Sequence, residues 1–322
     1  MSKSEVVIPK FSELPLREGD PPYSAWGLYG KDDQLGTLNR LADRIVRDAA
    51  RKEIQTGKRI SLNWPLNAQR DHLLFGRQAF HQRIFQLSSY IVNDDTWSFN
   101  SQGSSQWDGL RHFGYQKEQK FYNGVTLEDI HNEKDTGVNG VHAWSEQGIV
   151  GRGILLDFHR WRTLNGIDFD PFESQSIPLE YLKATAKAQG TEINFGDILI
   201  VRTGYIEKTR SASREQLQAR AEIELPPSGG VEQSEEMLEW IWSNFSAVAG
   251  DHPAFECWPS QKPWMLHEVL LAGWGCPIGE LFDLDKLAEH CEKTGRWSFF
   301  VTSEVCNVPG GVASPPNILA IF

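Results

Sequence analysis

The stretch Gly196-Asp-Ile-Leu-Ile-Val-Arg-Thr-Gly204 places four consecutive apolar side chains between two glycines. A short apolar run bounded by turn-forming residues is typical of a buried β-strand. The run Gly153-Ile-Leu-Leu-Asp-Phe158 has the same character, and residues 247–250 form a third, shorter run. The sequence therefore predicts three buried strands in the interior of the protein.

Helices and further strands are predicted on either side of these runs. Leu179 to Gly190 has the pattern of a helix that ends at a glycine, and Ser234 precedes two glutamates as a helix N-cap would. Other predicted helices are 41–54, 206–224 and 263–272, and other predicted strands are 58–64 and 84–97, the latter turning at Asp94-Asp95. Strands and helices do not alternate regularly, so we expect one mixed α/β domain.

Composition excludes several classes of protein. The chain has 322 residues and a formal net charge of -11, from 32 Lys plus Arg and 43 Asp plus Glu. An acidic protein without a local basic cluster is a poor partner for nucleic acid. No apolar run approaches the length that crosses a bilayer, and the N-terminus lacks the pattern of a secretory signal. We therefore expect a cytoplasmic protein without a nucleic-acid or membrane partner.

The cysteines and the first residues support the same expectation. The four cysteines contain no CxxC pair, which predicts four free, buried thiols in a reducing compartment. Residues 1–22 are polar, contain four prolines and are predicted to form an arm, while residues 23–322 form a single domain.

Several common catalytic motifs are absent. The sequence contains neither GxGxxG nor GxxxxGK[ST], so no nucleotide cofactor is expected. It also lacks GxSxG, the motif of the α/β-hydrolase nucleophile. His267-Glu268 begins like the zinc-peptidase motif HExxH, but Leu271 occupies the position of the second histidine.

The segment Ser101-Gln-Gly-Ser-Ser-Gln-Trp-Asp-Gly-Leu-Arg-His112 is a candidate site. In an extended chain, alternate residues share a face, which would align Asp108 with the glutamines 102 and 106. Such a face is either solvated or one wall of a polar pocket that His112 extends. The apolar neighbours favour the pocket, and a buried Asp108 would need a partner, for which Arg111 is one candidate.

A second candidate segment runs from Trp264 to Glu280. His267 lies in a helix that is apolar nearly all round, and Glu280 follows a run from 272 to 279 without any charge. A buried histidine is usually a hydrogen-bonded core residue, but a lone buried glutamate is rarer, and a metal ion would stabilise its charge. Asp, His and Glu together suit Zn²⁺ or Mn²⁺, although His267 follows Asp108 by about 160 residues.

These stretches resemble the cyclase family of metal-dependent hydrolases, which includes bacterial kynurenine formamidase and isatin hydrolase. The resemblance extends from about Trp26 to Val312 and is closest to the longer members of the family. The stretches that carry it are Trp26-Gly27 with Asp33-Gln-Leu-Gly-Thr-Leu-Asn39, Gln106 to His112, Gly151 to Asp157, Gly196 to Gly204, Ala249-Gly-Asp251, and His267 with Glu280-Leu281.

The resemblance implies a ligand set with two departures. The family's metal motif, HxGTHxDxPxH, places its aspartate on Asp108 and its last histidine on His112, with His267 and Glu280 as the later ligands. Its first two histidines fall on Gln102 and Gln106, and its proline on Leu110. Since glutamine is a weaker ligand than imidazole, one of the family's two ions is expected to be absent. Asp108, His267 and Glu280 would bind one Zn²⁺ or Mn²⁺ per chain, or form a metal-free acid/base set.

The resemblance also implies fold and assembly. The fold would be a mixed twisted sheet or barrel-like core with flanking helices. The protein would be a homodimer or homotetramer, with the arm 1–22 at a subunit interface.

Three functions follow from these residues. The first is a hydrolase of an amide, formamide, lactam or lactone, with His112 and Asp108 as catalytic groups and His112 as general acid/base. The second is a cyclase, dehydratase or isomerase of secondary metabolism that needs little or no metal. The third is a ligand-binding protein without activity. Candidate substrate contacts, each of which could equally serve core packing or turn geometry, are Trp26, Trp107, Tyr115 and Asp251.

Overall fold

A mixed sheet of nine strands forms the centre of the computed structural model, which describes residues 6–132 and 137–322. The described strands are β1 (Arg59–Ser61), β2 (His81–Gln86), β3 (Asn93–Ser98), β4 (Gln106–Asp108), β5 (Ile149–Leu156), β6 (Ser176–Ile177), β7 (Asp197–Val201), β8 (Gly230–Val231), β9 (Phe245–Gly250), β10 (Ile278–Glu280), β11 (Ser298–Ser303), β12 (Ala313–Ser314) and β13 (Leu319–Ile321). The described α-helices are α1 (Asp43–Glu53), α2 (Leu127–His131), α3 (His142–Ser145), α4 (Phe158–Leu164), α5 (Leu179–Gln189), α6 (Tyr205–Ser211), α7 (Arg214–Ala221), α8 (Glu235–Asn244) and α9 (Asp285–Thr294).

The strand order of the central sheet is β1-β13-β11-β5-β7-β9-β10-β4-β12. Strands β5, β7, β9 and β10 run parallel to one another, and antiparallel strands extend the sheet on both sides. The predicted mixed α/β class is confirmed. Within the described part of the chain the sheet ends at β1 and β12, so it is open and does not close into a barrel.

The three apolar runs form adjacent strands at the middle of this sheet. All five residues of β7 and all six of β9 are buried, as are seven of the eight residues of β5. A strand that is covered on both faces has no solvent-exposed face, so its sequence does not alternate between polar and apolar residues. This explains why these three sequences are continuously apolar. The prediction of three buried strands is confirmed.

Two helix boundaries follow their local signals. Helix α5 ends at Gly190, which adopts a φ of 65° that an L-residue disfavours. The Ser234 hydroxyl accepts a hydrogen bond from the backbone N–H of Met237 at the start of α8. The predicted helix 206–224 is instead two helices, α6 and α7, because Ser213 caps a new helix.

The predicted turn at Asp94-Asp95 is wrong. Strands β2 and β3 form a hairpin whose turn lies at 87–92, and both aspartates lie within β3, opposite Phe85 and Ile84. Apart from Phe85, all of the hairpin's strand residues are exposed. With no buried face, the hydrophobic pattern does not determine the register.

The described part of the predicted arm packs against its own chain. The indole N–H of Trp242 donates to the Pro9 carbonyl at 2.8 Å, and the Phe11 ring stacks on Tyr23 at 5.2 Å between centroids. Of the four free cysteines, three are buried, but Cys306 is exposed, so the prediction of four buried thiols is wrong there. Across the described residues, every helix is too short or too polar to cross a membrane.

A buried charge cluster joins β5 to β7 and α1. The Arg152 guanidinium donates to Glu53 Oε1 at 2.9 Å and to Asp197 Oδ2 at 2.5 Å, while Glu192 supplies a backbone carbonyl at 3.1 Å. Glu53 and Asp197 are each only 2% exposed. Burial raises the pKa of Asp197 to about 6 even though Arg152 opposes the shift. Arg152 therefore pairs with two buried carboxylates, of which Asp197 has no second cation among the described residues.

Replacing Arg152 by alanine should lower the free energy of unfolding by about 3–5 kcal/mol, because the buried Asp197 would lose its cation and the buried Glu53 would keep only Arg296, at 3.5 Å. Urea denaturation at neutral pH measures the loss. Arg160→Ala is the matched control, since the Arg160–Glu292 pair has half-exposed side chains and contributes about 0–1 kcal/mol. Equal unfolding free energies for the two variants would contradict the assignment.

Candidate active site

Two neighbouring strands bring the first acidic side chains together. Strands β4 and β10 are antiparallel, with Asp108 opposite Ile278 and Gln106 opposite Glu280. Side chains of residues two apart or directly opposite share a face of the sheet. Asp108, Gln106 and Glu280 therefore lie on one face.

His267 reaches the same face from the helical turn before β10. It lies at the N-terminal end of a π-helix (Glu268–Gly273), whereas the sequence predicts an ordinary helix from Pro263 to Ala272. A π-helical turn is rare and occurs frequently at functional sites. The Nε2 atom of His267 lies 3.1 Å from Glu280 Oε1 and 3.7 Å from Asp108 Oδ2. The geometry thus joins residues that sequence spacing alone could not connect.

Asp108, His267 and Glu280 have the chemistry of a metal site. Each offers one ligand atom, and these atoms lie within 4.8 Å of one another. Asp108 Oδ2 and the amide oxygen of Gln106 are both buried, and neither has a hydrogen-bond donor among the residues that the structure describes. Buried acceptors without donors are costly unless a cation or water satisfies them. One imidazole with carboxylate oxygens suits Zn²⁺ or Mn²⁺, so the residues present fit a divalent ion.

The two glutamines use their amide N–H groups to bind the carboxylates. Gln102 Nε2 donates to Asp108 Oδ1, and Gln106 Nε2 donates to Glu280 Oε2 at 2.8 Å. Gln106 Nε2 also lies 3.1 Å from Gln102 Oε1, which links the two amides. Both glutamines therefore orient the acidic side chains.

Glu256 is a fourth charged residue of the site, and it is not among the site residues predicted from the sequence. Its carboxylate lies 2.6 Å from His267 Nδ1 and accepts the His267 backbone N–H at 3.2 Å. Glu256 is completely buried. A carboxylate on one ring nitrogen directs the other nitrogen toward a metal. Residues 254–258 carry no other charge, so the reasoning used for Glu280 would also have found Glu256.

The electrostatics follow from burial and from these contacts. Burial and the neighbouring Asp108 raise the pKa of Glu280 to about 7. Although burial opposes its charge, Glu256 and the two other carboxylates raise the pKa of His267 well above its ordinary value. Burial also opposes the charge of Asp108, but His112 and His267 hold its pKa below the ordinary value. Without a metal, the charged form of His267 is therefore stabilised by its carboxylate neighbours.

A pocket of about 380 Å³ opens onto this cluster. Its polar lining residues are His112, His267, Glu280 and Arg77. Its other walls are apolar or aromatic and comprise Phe75, Phe113, Pro253, Ala254, Trp258 and Met265. A concave apolar pocket with a few convergent polar groups is the usual form of a small-molecule site.

His112 follows β4 and lies beside His267, with ring centroids 6.3 Å apart. Among the described residues, the His112 ring has no hydrogen-bond partner. Burial lowers its pKa below the ordinary value, although Asp108 opposes the shift. The neutral form of His112, which can accept a proton, is thus favoured by burial, and its side chain lines the pocket.

The other predicted contacts lie outside the residues that line this pocket. Trp107 points to the opposite face of β4, where its ring packs on Phe282 and its N–H donates to Ser303 at 2.9 Å. The Asp251 carboxylate accepts the backbone N–H groups of Thr203 and Gly204 at the end of β7.

The rings of Trp26 and Tyr115 pack against each other beside the C-terminal part of the π-helix. The Trp26 indole N–H donates to the Ala272 carbonyl at 2.6 Å, and the Tyr115 hydroxyl donates to the Pro22 carbonyl at 2.8 Å. Arg111, proposed as a partner for Asp108, donates instead to the carbonyls of 138 and 310.

Comparisons with known proteins agree with this architecture. Among solved structures, a novel cyclase is 29% identical, with a TM-score of 0.82 over 93% of this chain and 99% of its own. Isatin hydrolase A from Ralstonia solanacearum is 14% identical, with a TM-score of 0.55 over 82% of this chain and 92% of its own. An isatin hydrolase bound to the product analogue thioisatinate is 12% identical, with a TM-score of 0.56 over 88% of this chain and 97% of its own.

The two isatin hydrolases therefore share the fold, and a comparison with curated proteins found no match. A family model described as "Putative cyclase" matches residues 46–256, which is more than half of the chain. The resemblance found in the sequence is confirmed, and the chain belongs to this cyclase family.

Proposed function

We propose that this protein is a hydrolase of a small amide, formamide, lactam or lactone that uses one divalent metal ion. The observation that carries the proposal is the convergence of Asp108, His267 and Glu280, two of which, His267 and Glu280, line a largely apolar pocket. The isatin hydrolases with the same fold support hydrolysis as the reaction class. Asp108, His267 and Glu280 would hold the ion, with Glu256 orienting His267.

When bound, Zn²⁺ or Mn²⁺ supplies Lewis-acid chemistry for a carbonyl group. His112 removes a proton from the attacking water as the water oxygen bonds to the carbonyl carbon. It then returns that proton to the leaving nitrogen or oxygen as the carbon–nitrogen or carbon–oxygen bond breaks. The aromatic walls exclude bulk water from this step.

The proposal is tested by measuring metal content and product mass together. The protein, purified without chelator and dialysed, should retain about one Zn or Mn per chain. It should open members of a panel of lactams and lactones to single products heavier by one water, and split aryl formamides into the arylamine and formate. In water enriched in heavy oxygen, the label should enter the new carboxylate. Metal that dialyses away, combined with no hydrolysis of any member of the panel, would refute the proposal.

A second candidate is a cyclase, dehydratase or isomerase that works by proton transfer. The hydrogen bonds of Gln102 and Gln106 to the two carboxylates favour it, because they help to organise the site without any ion. His267, surrounded by carboxylates, is stabilised as a cation in that arrangement. Product mass separates the candidates, since cyclisation adds no water and dehydration loses one.

Replacing Glu256 by glutamine should weaken metal binding by about 10- to 100-fold, because His267 would lose the carboxylate that orients its ring. Competition with a chromogenic chelator measures the affinity. Glu268→Gln is the matched control: Glu268 is a neighbouring, largely buried carboxylate that lies near Glu118 and Glu256 but is not one of the three converging ligand residues. Unchanged affinity in Glu256→Gln would remove Glu256 from the site's machinery.

A further inference from the structure

Arg77 is a cation with unused hydrogen-bonding capacity in the proposed substrate pocket. It is the only Lys or Arg among the described residues that line this pocket. One N–H of its guanidinium donates to the Gln102 carbonyl at 3.1 Å. Within residues 6–132 and 137–322, no carboxylate lies within ion-pair distance of Arg77. A guanidinium carries five N–H donors, so four remain for a ligand.

The backbone before Arg77 is strained in a way that positions this group. Phe75 has a φ of 61° and a ψ of 26°, a left-handed conformation that is an outlier for a bulky side chain, and Gly76 shares it. Such strain costs about 1–3 kcal/mol and clusters at functional sites. It places the Phe75 ring edge-on to Trp258, with 6.2 Å between ring centroids. The Arg77 guanidinium lies 4.8 Å from the centroid of the same Phe75 ring.

The carboxylates of the site do not pair with the Arg77 guanidinium. Asp108 and Glu280 attract its charge through space, but neither forms an ion pair with it. Glu280 is bonded instead by Gln106 and His267, and Asp108 by Gln102. The guanidinium is thus held by an aromatic ring and one carbonyl, with its planar fork unpaired. That fork matches a carboxylate.

We propose that Arg77 selects a ligand in which a carboxylate is attached to an aromatic ring system. The aromatic walls take the ring, and the guanidinium takes the carboxylate. The statement that this ligand is the substrate rests on the hydrolase function proposed above. The binding preference itself needs no turnover, so the two can fail independently.

Titration of the pocket with 2-naphthoate and its neutral isostere 2-naphthamide tests the assignment. The wild-type protein should bind the acid at least about 10-fold more tightly than the amide, as a charge-assisted hydrogen bond allows. Arg77→Met should lose about 10- to 100-fold in affinity for the acid and bind both compounds equally. Arg77→Lys should keep part of the preference.

Lys262→Met is the matched control, because it removes an exposed positive charge from the segment between the pocket-lining residues Trp258 and Met265. It should keep the wild-type preference, and all variants should keep the wild-type thermal midpoint. Titrations with metal-loaded and chelator-treated protein show whether Arg77 or the metal ion recognises the carboxylate, because binding by Arg77 survives removal of the metal. A preference that survives in Arg77→Met overturns the proposal, as does wild-type protein that binds neither compound or binds both equally.

Discussion

Replacing Asp108 by asparagine should abolish stoichiometric metal binding and lower turnover on the order of 1,000-fold. Asp108 is completely buried, and its Oδ2 atom lies 3.7 Å from His267 Nε2 with no hydrogen-bond donor in the described part of the chain. Asparagine has the same shape but no charge, so a divalent ion would lose one of two carboxylate ligands. An ion at a carbonyl contributes several kcal/mol of transition-state stabilisation, and each 1.4 kcal/mol is a factor of ten. Elemental mass spectrometry of dialysed protein and steady-state kinetics measure the two effects.

Asp251→Asn is the control that separates metal binding from folding. Asp251 is as deeply buried as Asp108, but its carboxylate accepts backbone N–H groups at the end of β7. This variant should lose stability in urea and keep its metal, whereas Asp108→Asn should lose metal and keep most of its stability. Wild-type metal content in Asp108→Asn would refute the ligand assignment and favour the metal-free candidate.

The central strands could be predicted because their environment is uniform. Each residue of β7 is buried whichever face it occupies, so the apolar run from Ile198 to Val201 is itself the signal. The end of α5 could also be predicted from a local signal, because Gly190 adopts the left-handed conformation that ends the helix. Local chemistry and tertiary structure agree at these positions.

The exposed hairpin lacks such a constraint. Asp94 and Asp95 have strong turn propensity, yet both lie in β3, paired with Phe85 and Ile84. The turn is formed by 87–92, where Ser88 adopts a φ of 52°. Pairing between the strands overrides the local preference of the aspartates, and no buried face marks the register in the sequence.

The candidate site was only partly predictable, because a non-local pairing assembles it. Asp108 and Glu280 were both singled out as charges in apolar surroundings. Their proximity depends on the register of β4 against β10, which sequence spacing does not encode. Arg77 carried no signal, since its position depends on the strained backbone at Phe75.

Replacing His112 by alanine should lower kcat/KM by about 100- to 10,000-fold, the usual contribution of a general acid/base. Burial holds the pKa of this imidazole below its ordinary value, so at pH 7 it is neutral and able to accept a proton. Its ring faces the pocket beside His267, and no described side chain competes for its nitrogens. Steady-state kinetics on the best substrate of the formamide and lactone panel measure the loss.

The metal content of the variant identifies the cause of that loss. His112→Ala should keep the wild-type metal stoichiometry, because His112 is not among the three converging ligand residues. Added imidazole should restore part of the activity by occupying the vacated space, and it should not rescue Asp108→Asn. His131→Ala, at an exposed position, should behave as wild type. If His112→Ala turned over normally, the proton would have to move through another group, and Glu280, with its pKa raised to about 7 by burial and Asp108, would be the next residue to test.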